Sequence, residues 1–371
     1  ENISADIVFD HKVMNINMTE GQVADMKMHK GHITLHGLND VDQYADVNLT
    51  MDGSIRSTLA FIDNKPLGFA SELGIDPKSA LGKASTDLSL KFIIENDLSI
   101  DKINIQATSK LTNLTLDKVF LGRGINDSTL DLKVDKKGMM VTGNVNFGSI
   151  PAQLVWSENF EKNDNYQSRY DLTVAIKDVS IIHDLGLDIP LFSDEYLKGS
   201  IGANIRFTAF DDVDRRLEVQ ADITEAELHS SELSWSKAIG VEGRAEIVID
   251  LERDVLVDIP KFEIIAGDME VRGKAFYGPN GSRLAKIEFD QLMFGRTNVK
   301  GALIPRSDGG WDVGFQGPSF DFSAYWDDLF SSSLASKDKK YLLPKLTMAV
   351  EIDRIWVSET VSMEKVSGTF S

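Results

Sequence analysis

The sequence predicts an all-β protein with a few short helices, built on an elongated, curved antiparallel sheet. Three observations lead there. Short segments alternate apolar and polar residues along nearly the whole chain, as strands with one buried face require. Clusters of Asp, Asn and Gly separate those segments. Finally, the stretch LGIDPKSALGKASTDLSLKF, from Leu73 to Phe92, returns 112 residues later as LGLDIPLFSDEYLKGSIGANIRF, from Leu185. A period that long exceeds the ~20 to 50 residues of a solenoid coil, so the repeating unit is a module of several strands introduced by a brief break. The expected organisation is the end of a preceding module over 1–72, modules over 73–184 and 185–322, and the start of another over 323–371.

The elements follow in order. Ile3, Ala5, Ile7 and Phe9 alternate as a strand, and GHITLHG sets Ile33 and Leu35 opposite His32, Thr34 and His36. Asp52-Gly53 reads as a hairpin turn into a strand carrying Ile55, Ser57 and Leu59. Pro66 and Pro77 bracket the first break. Leu88, Leu90 and Phe92 then share a face, as do Ile103, Ile105 and Ala107, and Leu130, Leu132 and Val134. Asp135-Lys136-Lys137-Gly138 reads as a hairpin loop with its glycine at positive φ. Leu172, Val174 and Ile176 close the module.

The second module repeats the scheme with Ile201, Ile205 and Phe207, then Leu217 and Val219, then Ile247 and Ile249. Its turns are Asp211 to Asp214 and Gly278-Pro279-Asn280-Gly281. A third break, Ser323 to Leu329 with the Ser/Lys-rich loop after it, leads to Leu346, Met348, Val350 and Ile352.

Composition narrows the function. The chain has 371 residues, 42% of them hydrophobic, enough for a continuous core. Its net charge of −19, from 58 acidic and 39 basic residues, repels phosphate backbones and excludes nucleic acid as an expected partner. Cysteine is absent, so disulfides and thiolate chemistry are excluded. No run of ~18 apolar residues is long enough to span a bilayer. Strand patterning reaches both ends without a polar cap, so the chain is expected to be a segment of something longer, any membrane anchor lying outside it.

About twenty strands with one apolar face pose a covering problem, because open sheets rarely exceed ~10 strands without curling or pairing. Closure gives a dry core; curling gives a trough about 95 Å long at ~4.8 Å per strand. Periodicity alone favours the dry core, because most apolar sheet faces are core.

Several short motifs resemble the AsmA-like superfamily, in its YhdP-like branch of bacterial envelope proteins. They are Lys65-Pro66-Leu67, Leu73-Gly74-Ile75-Asp76-Pro77, Gly82 opening a strand, and Gly148, Pro151-Ala152, Trp156, Glu158 and Phe160. Nearer the end they are Leu343-Pro344-Lys345-Leu346, Ile352-Asp353-Arg354-Ile355 and Val366-Ser367-Gly368. The resemblance implies a repeating β-groove whose hydrophobic interior carries phospholipid acyl chains between inner and outer membrane. It further implies a periplasmic location in a Gram-negative bacterium, an inner-membrane anchor, and membrane partners engaged through terminal regions beyond this chain. No cofactor, metal or catalytic residue follows from it. The expected groove lining is Leu88, Leu90, Phe92, Ile103, Ile105, Leu130, Leu132, Val134, Leu172, Val174, Ile201, Ile205, Phe207, Leu217, Val219, Ile247 and Ile249. The alternative is a structural or adhesive β-repeat protein with a closed core.

Enzyme chemistry has no support in the sequence. There is no G-x-S-x-G elbow or P-loop, and Gly122-Arg123-Gly124 lacks a third glycine. His29, His32 and His36 crowd together, but alternation sets His29 on the opposite face from the other two and no carboxylate pair completes a ligand set.

Overall fold

The structure, a computed structural model, describes residues 3–64, 75–99, 102–120, 123–161, 165–178, 196–230, 233–253, 255–281, 283–324 and 345–370. The chain divides into two compact units, residues 1–174 and 175–371. Both are β-rich, and both are built on an open, mainly antiparallel ladder.

Among the described residues of the first unit ten strands follow one another, the last running two residues past its boundary: β1 (Ile3–Phe9), β2 (Val13–Val23), β3 (Met26–His36), β4 (Tyr44–Ser54), β5 (Leu81–Ile93), β6 (Asn104–Phe120), β7 (Arg123–Asp135), β8 (Gly138–Phe147), β9 (Ile150–Asn159) and β10 (Ser168–Ile176). Each pairs antiparallel with the next. Among the described residues β1 pairs with β2 and β10 with β9, and the meander does not close into a barrel.

Aspartates seat three of the hairpin turns. Asp10 Oδ1 accepts the amides of Lys12 and Val13 at 2.7 and 2.9 Å, Asp135 those of Lys137 and Gly138 at 2.7 and 3.1 Å, and Asp211 those of Val213 and Asp214, both at 2.7 Å. A side chain that satisfies two turn amides fixes the reversal locally. The same amides hold the Asp10 and Asp211 carboxyls below the usual carboxylate range.

Three local expectations are corrected. Asp52-Gly53 is not a turn: it lies in β4, paired with Ser85 and Ala84. The strand expected after it is helix α1 (Ile55–Ile62), capped by Ser54, whose hydroxyl accepts the Ser57 amide at 3.1 Å. Ile55, Leu59 and Ile62 have the spacing of a helix face, which outweighs the alternation of Ile55, Ser57 and Leu59. Gly138 does not have positive φ; glycine is needed there because a Cβ would overlap the carbonyl oxygen of Glu158 on β9.

The second unit contains β11 (Leu197–Gly199), β12 (Ile201–Ala209), β13 (Asp214–Asp222), β14 (Ala226–Ser230), β15 (Trp235–Lys237), β16 (Gly243–Glu252), β17 (Val255–Ala266), β18 (Met269–Tyr277), β19 (Leu284–Phe294), β20 (Thr297–Pro305), β21 (Trp311–Asp321), β22 (Leu346–Trp356) and β23 (Ser362–Phe370). The main ladder runs β12, β13, β16 and then β17 to β23 in order. One pair, β21–β22, is parallel, a local departure from the antiparallel pattern. A parallel neighbour needs a crossover connection, and the third break lies between these two strands. Most of that break, like Lys65 to Gly74 of the first break and His183 to Pro190 of the second, falls outside the described residues.

At one point the two copies of the repeated stretch are alike. Gly82 and Gly199 both take positive φ, +116° and +101°, and at both a Cβ would stand 2.6 Å from the carbonyl oxygen of a neighbouring strand or turn, that of Asn113 or Glu225. Beyond this point the two copies differ. β5 pairs with a continuous β6, whereas in the second copy the strand ends split off as a separate ladder, β11–β14–β15. Lys237 holds that ladder: it is 2% exposed, and its Nζ donates to the carbonyls of Thr224, Ala226 and Ala238 at 3.0, 2.7 and 3.3 Å.

Candidate functional site: apolar rows that cross the strands

Residues directly opposite one another on successive antiparallel strands form rows perpendicular to the strands, all pointing to one face. In the first unit one such row is Met18, Gly31, Leu49, Leu88, Ala107, Val134 and Met139. A second is Ile16, Ile33, Val47, Leu90 and Ile105. A third, Leu130, Gly143, Leu154 and Leu172, lies towards β10. Their shared face holds an apolar cleft of about 140 Å³, lined by Leu88, Ile105, Leu130, Leu132, Val134 and Trp156 among others. Helix α1 contributes Ile55 and Leu59 to the same cleft, so the short helix packs on the apolar face.

Two polar features interrupt this face, and both are satisfied. Thr86 and Ser109, opposite each other on β5 and β6, share a buried hydroxyl–hydroxyl bond of 2.8 Å. Glu158 on β9 is 8% exposed; its Oε1 accepts from Trp156 Nε1 and from Ser168 Oγ. Burial raises the Glu158 carboxyl above its ordinary value, and the bonds from Ser168 and Trp156 only partly offset this. Trp156 stacks on Tyr170 at 5.1 Å, and burial raises the Tyr170 hydroxyl as well.

The second unit carries a longer apolar row. Ile205, Val219, Ile247, Phe262, Gly273, Phe289, Gly301, Phe315 and Val350 stand opposite one another across nine strands. Phenylalanine and glycine alternate in its middle. A Cβ on Gly273 would meet the Phe262 ring at 2.6 Å, and one on Gly301 the Phe315 ring at 2.7 Å. Each of these rings thus leans over the bare backbone of the adjacent strand. The ring centroids are 6.0 Å apart for Phe262–Phe289 and 6.5 Å for Phe289–Phe315, within the range of favourable aromatic pairs. Phe320 and Phe322 extend the strip with spacings of 5.9 and 6.2 Å. The result is an aromatic floor.

The expected lining residues are placed as follows. Leu88, Ile105, Leu130, Leu132 and Val134 meet in the cleft; Leu90, Phe92, Ile103, Leu172 and Val174 lie in the same unit but do not line it. Ile205, Val219 and Ile247 fall in the long row, and Phe207, Leu217 and Ile249 form a parallel row beside it. Ile201 is buried at the start of β12. Sequence reasoning missed Phe262, Phe315 and the glycines between them. Their signal was present only as isolated Phe and Gly residues on different strands.

The histidines have separate partners: His29 bonds Asp52 at 2.9 Å, His32 bonds Asn17 and Thr34 at 2.7 and 3.0 Å, and His36 stands 3.5 Å from Asp46. Among the described residues no three His, Cys, Asp or Glu side chains converge, and no helix is long and apolar enough to cross a membrane. No protein-family model, curated protein or solved structure matches the chain.

Proposed function

We propose that the chain is a non-enzymatic lipid conduit, part of an AsmA-like periplasmic bridge whose apolar rows carry phospholipid acyl chains between inner and outer membrane. The observation that carries this reading is the state of the long row. Ile205, Val219, Ile247, Phe262, Phe289 and Phe315 are each only partly buried, although a packed core would bury such side chains almost fully. An apolar strip left partly open wants an apolar occupant. Lipid would slide across the rows at little net cost, since each CH₂ leaving one contact, worth ~0.8 kcal/mol, enters another of the same kind. Headgroups would stay at the open edge of the sheet.

A second reading is favoured at one place. The cleft of the first unit is narrow, and Leu88, Ile105 and Leu130 in it are 3 to 7% exposed, as in a structural repeat with a dry core. Lipid extraction from the purified protein separates the two. Co-purifying phospholipid lost on replacing Phe289 and Phe315 with Asp supports the conduit; a lipid-free, well-folded wild-type chain supports the structural repeat.

A further inference from the structure

The opposite, polar face of the first unit carries a trough of about 1010 Å³ that crosses the strands from β2 to β9. Its floor is also a cross-strand row: Asn17, His32, Asn48, Ser89, Gln106 and Asp135 stand opposite one another. A flanking row is Lys30, Thr50, Asp87, Thr108 and Lys133. Two properties set this trough apart from an ordinary solvated strand face.

The first is charge. The chain carries −19, yet the charges of the two rows balance: Lys30 and Lys133 against Asp87 and Asp135. The second is unused hydrogen-bonding capacity. Asn17 and His32 bond each other, and Thr50 donates to Asp87 at 2.7 Å. The side chains of Asn48, Ser89, Gln106 and Thr108 bond no described residue. Two amides and two hydroxyls, each both donor and acceptor, thus line the middle of two charge-balanced rows.

We propose that this trough binds a neutral, β-linked polysaccharide strand laid across the sheet. Hydroxyl- and amide-bearing sugars need paired donors and acceptors without a net field, and the row offers that. The spacing also fits. Asn48 and Gln106 are two strands apart, about 10 Å at ~4.8 Å per strand, and in an extended β-1,4-linked chain like groups recur on one side at every second sugar. Tyr166 lines the β9 end of the trough, where the Arg169 guanidinium stands 4.6 Å from its ring centroid. The two rows offer a polyanion no net positive charge.

The test is calorimetric titration of the whole chain with a soluble β-1,4-linked N-acetylglucosamine hexamer, with a sulfated oligosaccharide of the same length in a parallel arm. The expected result is saturable binding of the neutral hexamer, weakened about tenfold or more in Asn48→Ala/Gln106→Ala and unchanged in Gln220→Ala on β13. All three positions are exposed, so the variants fold. No binding at millimolar hexamer, equal binding by the double variant, or preference for the sulfated chain overturns the proposal. No lipid enters the experiment, so its outcome is independent of the conduit reading.

Discussion

The rings of Phe289 and Phe315 lie 6.5 Å apart although their strands are not neighbours: Gly301, opposite both, stands between them with no side chain. The sheet keeps its hydrogen-bonded ladder there while the apolar face is made by every second strand. A Cβ at Gly301 would overlap the carbonyl oxygen of Gly314 and press on the Phe315 ring.

Gly301→Ala is therefore expected to cost about 1–3 kcal/mol, the range of overpacking. At Gly314, one strand away, a Cβ would meet only open space, and Gly314→Ala should change stability by less than about 0.5 kcal/mol. Urea midpoints of the two variants measure the contrast; equal losses would show that the rings do not depend on the bare backbone.

Glu158 gives a pH dependence with a definite sign. Burial raises its folded-state carboxyl above the ordinary 4.5, so the folded chain holds this proton more tightly than the unfolded one. The stability it contributes is full below pH 4.5 and is lost as pH rises through the raised folded value. Glu158→Gln keeps Oε1 as acceptor for Trp156 and Ser168 and removes the titration. Against wild type, the variant should gain stability as pH rises above 4.5 and level off once the folded carboxyl has ionised. Urea midpoints of both proteins across that range measure the effect, and a difference that does not vary with pH contradicts the buried-carboxyl account.

Thr86 and Ser109 predict non-additivity. Ser109→Ala leaves the buried Thr86 hydroxyl without its partner and should cost about 1–3 kcal/mol, whereas Thr86→Val with Ser109→Ala removes both polar groups and should recover most of that loss. A double-mutant cycle measures it. Additive losses would mean that the pair is not bonded.

Lys237→Met tests the divergence between the two copies. It strips three carbonyls of their donor and should destabilise by at least about 2 kcal/mol, with hydrogen exchange rising first in β11, β14 and β15. Uniform exchange over the second unit would place the role of Lys237 elsewhere.

Local patterns made much of the fold legible. Leu88, Leu90 and Phe92, or Leu130, Leu132 and Val134, declare a strand face within five residues, because alternation is a nearest-neighbour property. Asp135 and Asp211 mark turns for the same reason. The rows were not legible, because register is set by pairing between strands: Phe262, Gly273, Phe289, Gly301 and Phe315 are 11 to 16 residues apart in sequence, and nothing local says that they align. Helix α1 was missed because Ile55, Ser57 and Leu59 satisfy a strand period as well as Ile55, Leu59 and Ile62 satisfy a helical one. The parallel β21–β22 pair has no sequence signature in the strands themselves.

Native mass spectrometry of the chain purified from a Gram-negative host, followed by lipid extraction, tests the central claim most directly. The conduit account predicts several phospholipids per chain, absent from a folded Phe289→Asp/Phe315→Asp variant. A wild-type chain that is monodisperse, stable and free of lipid would contradict it.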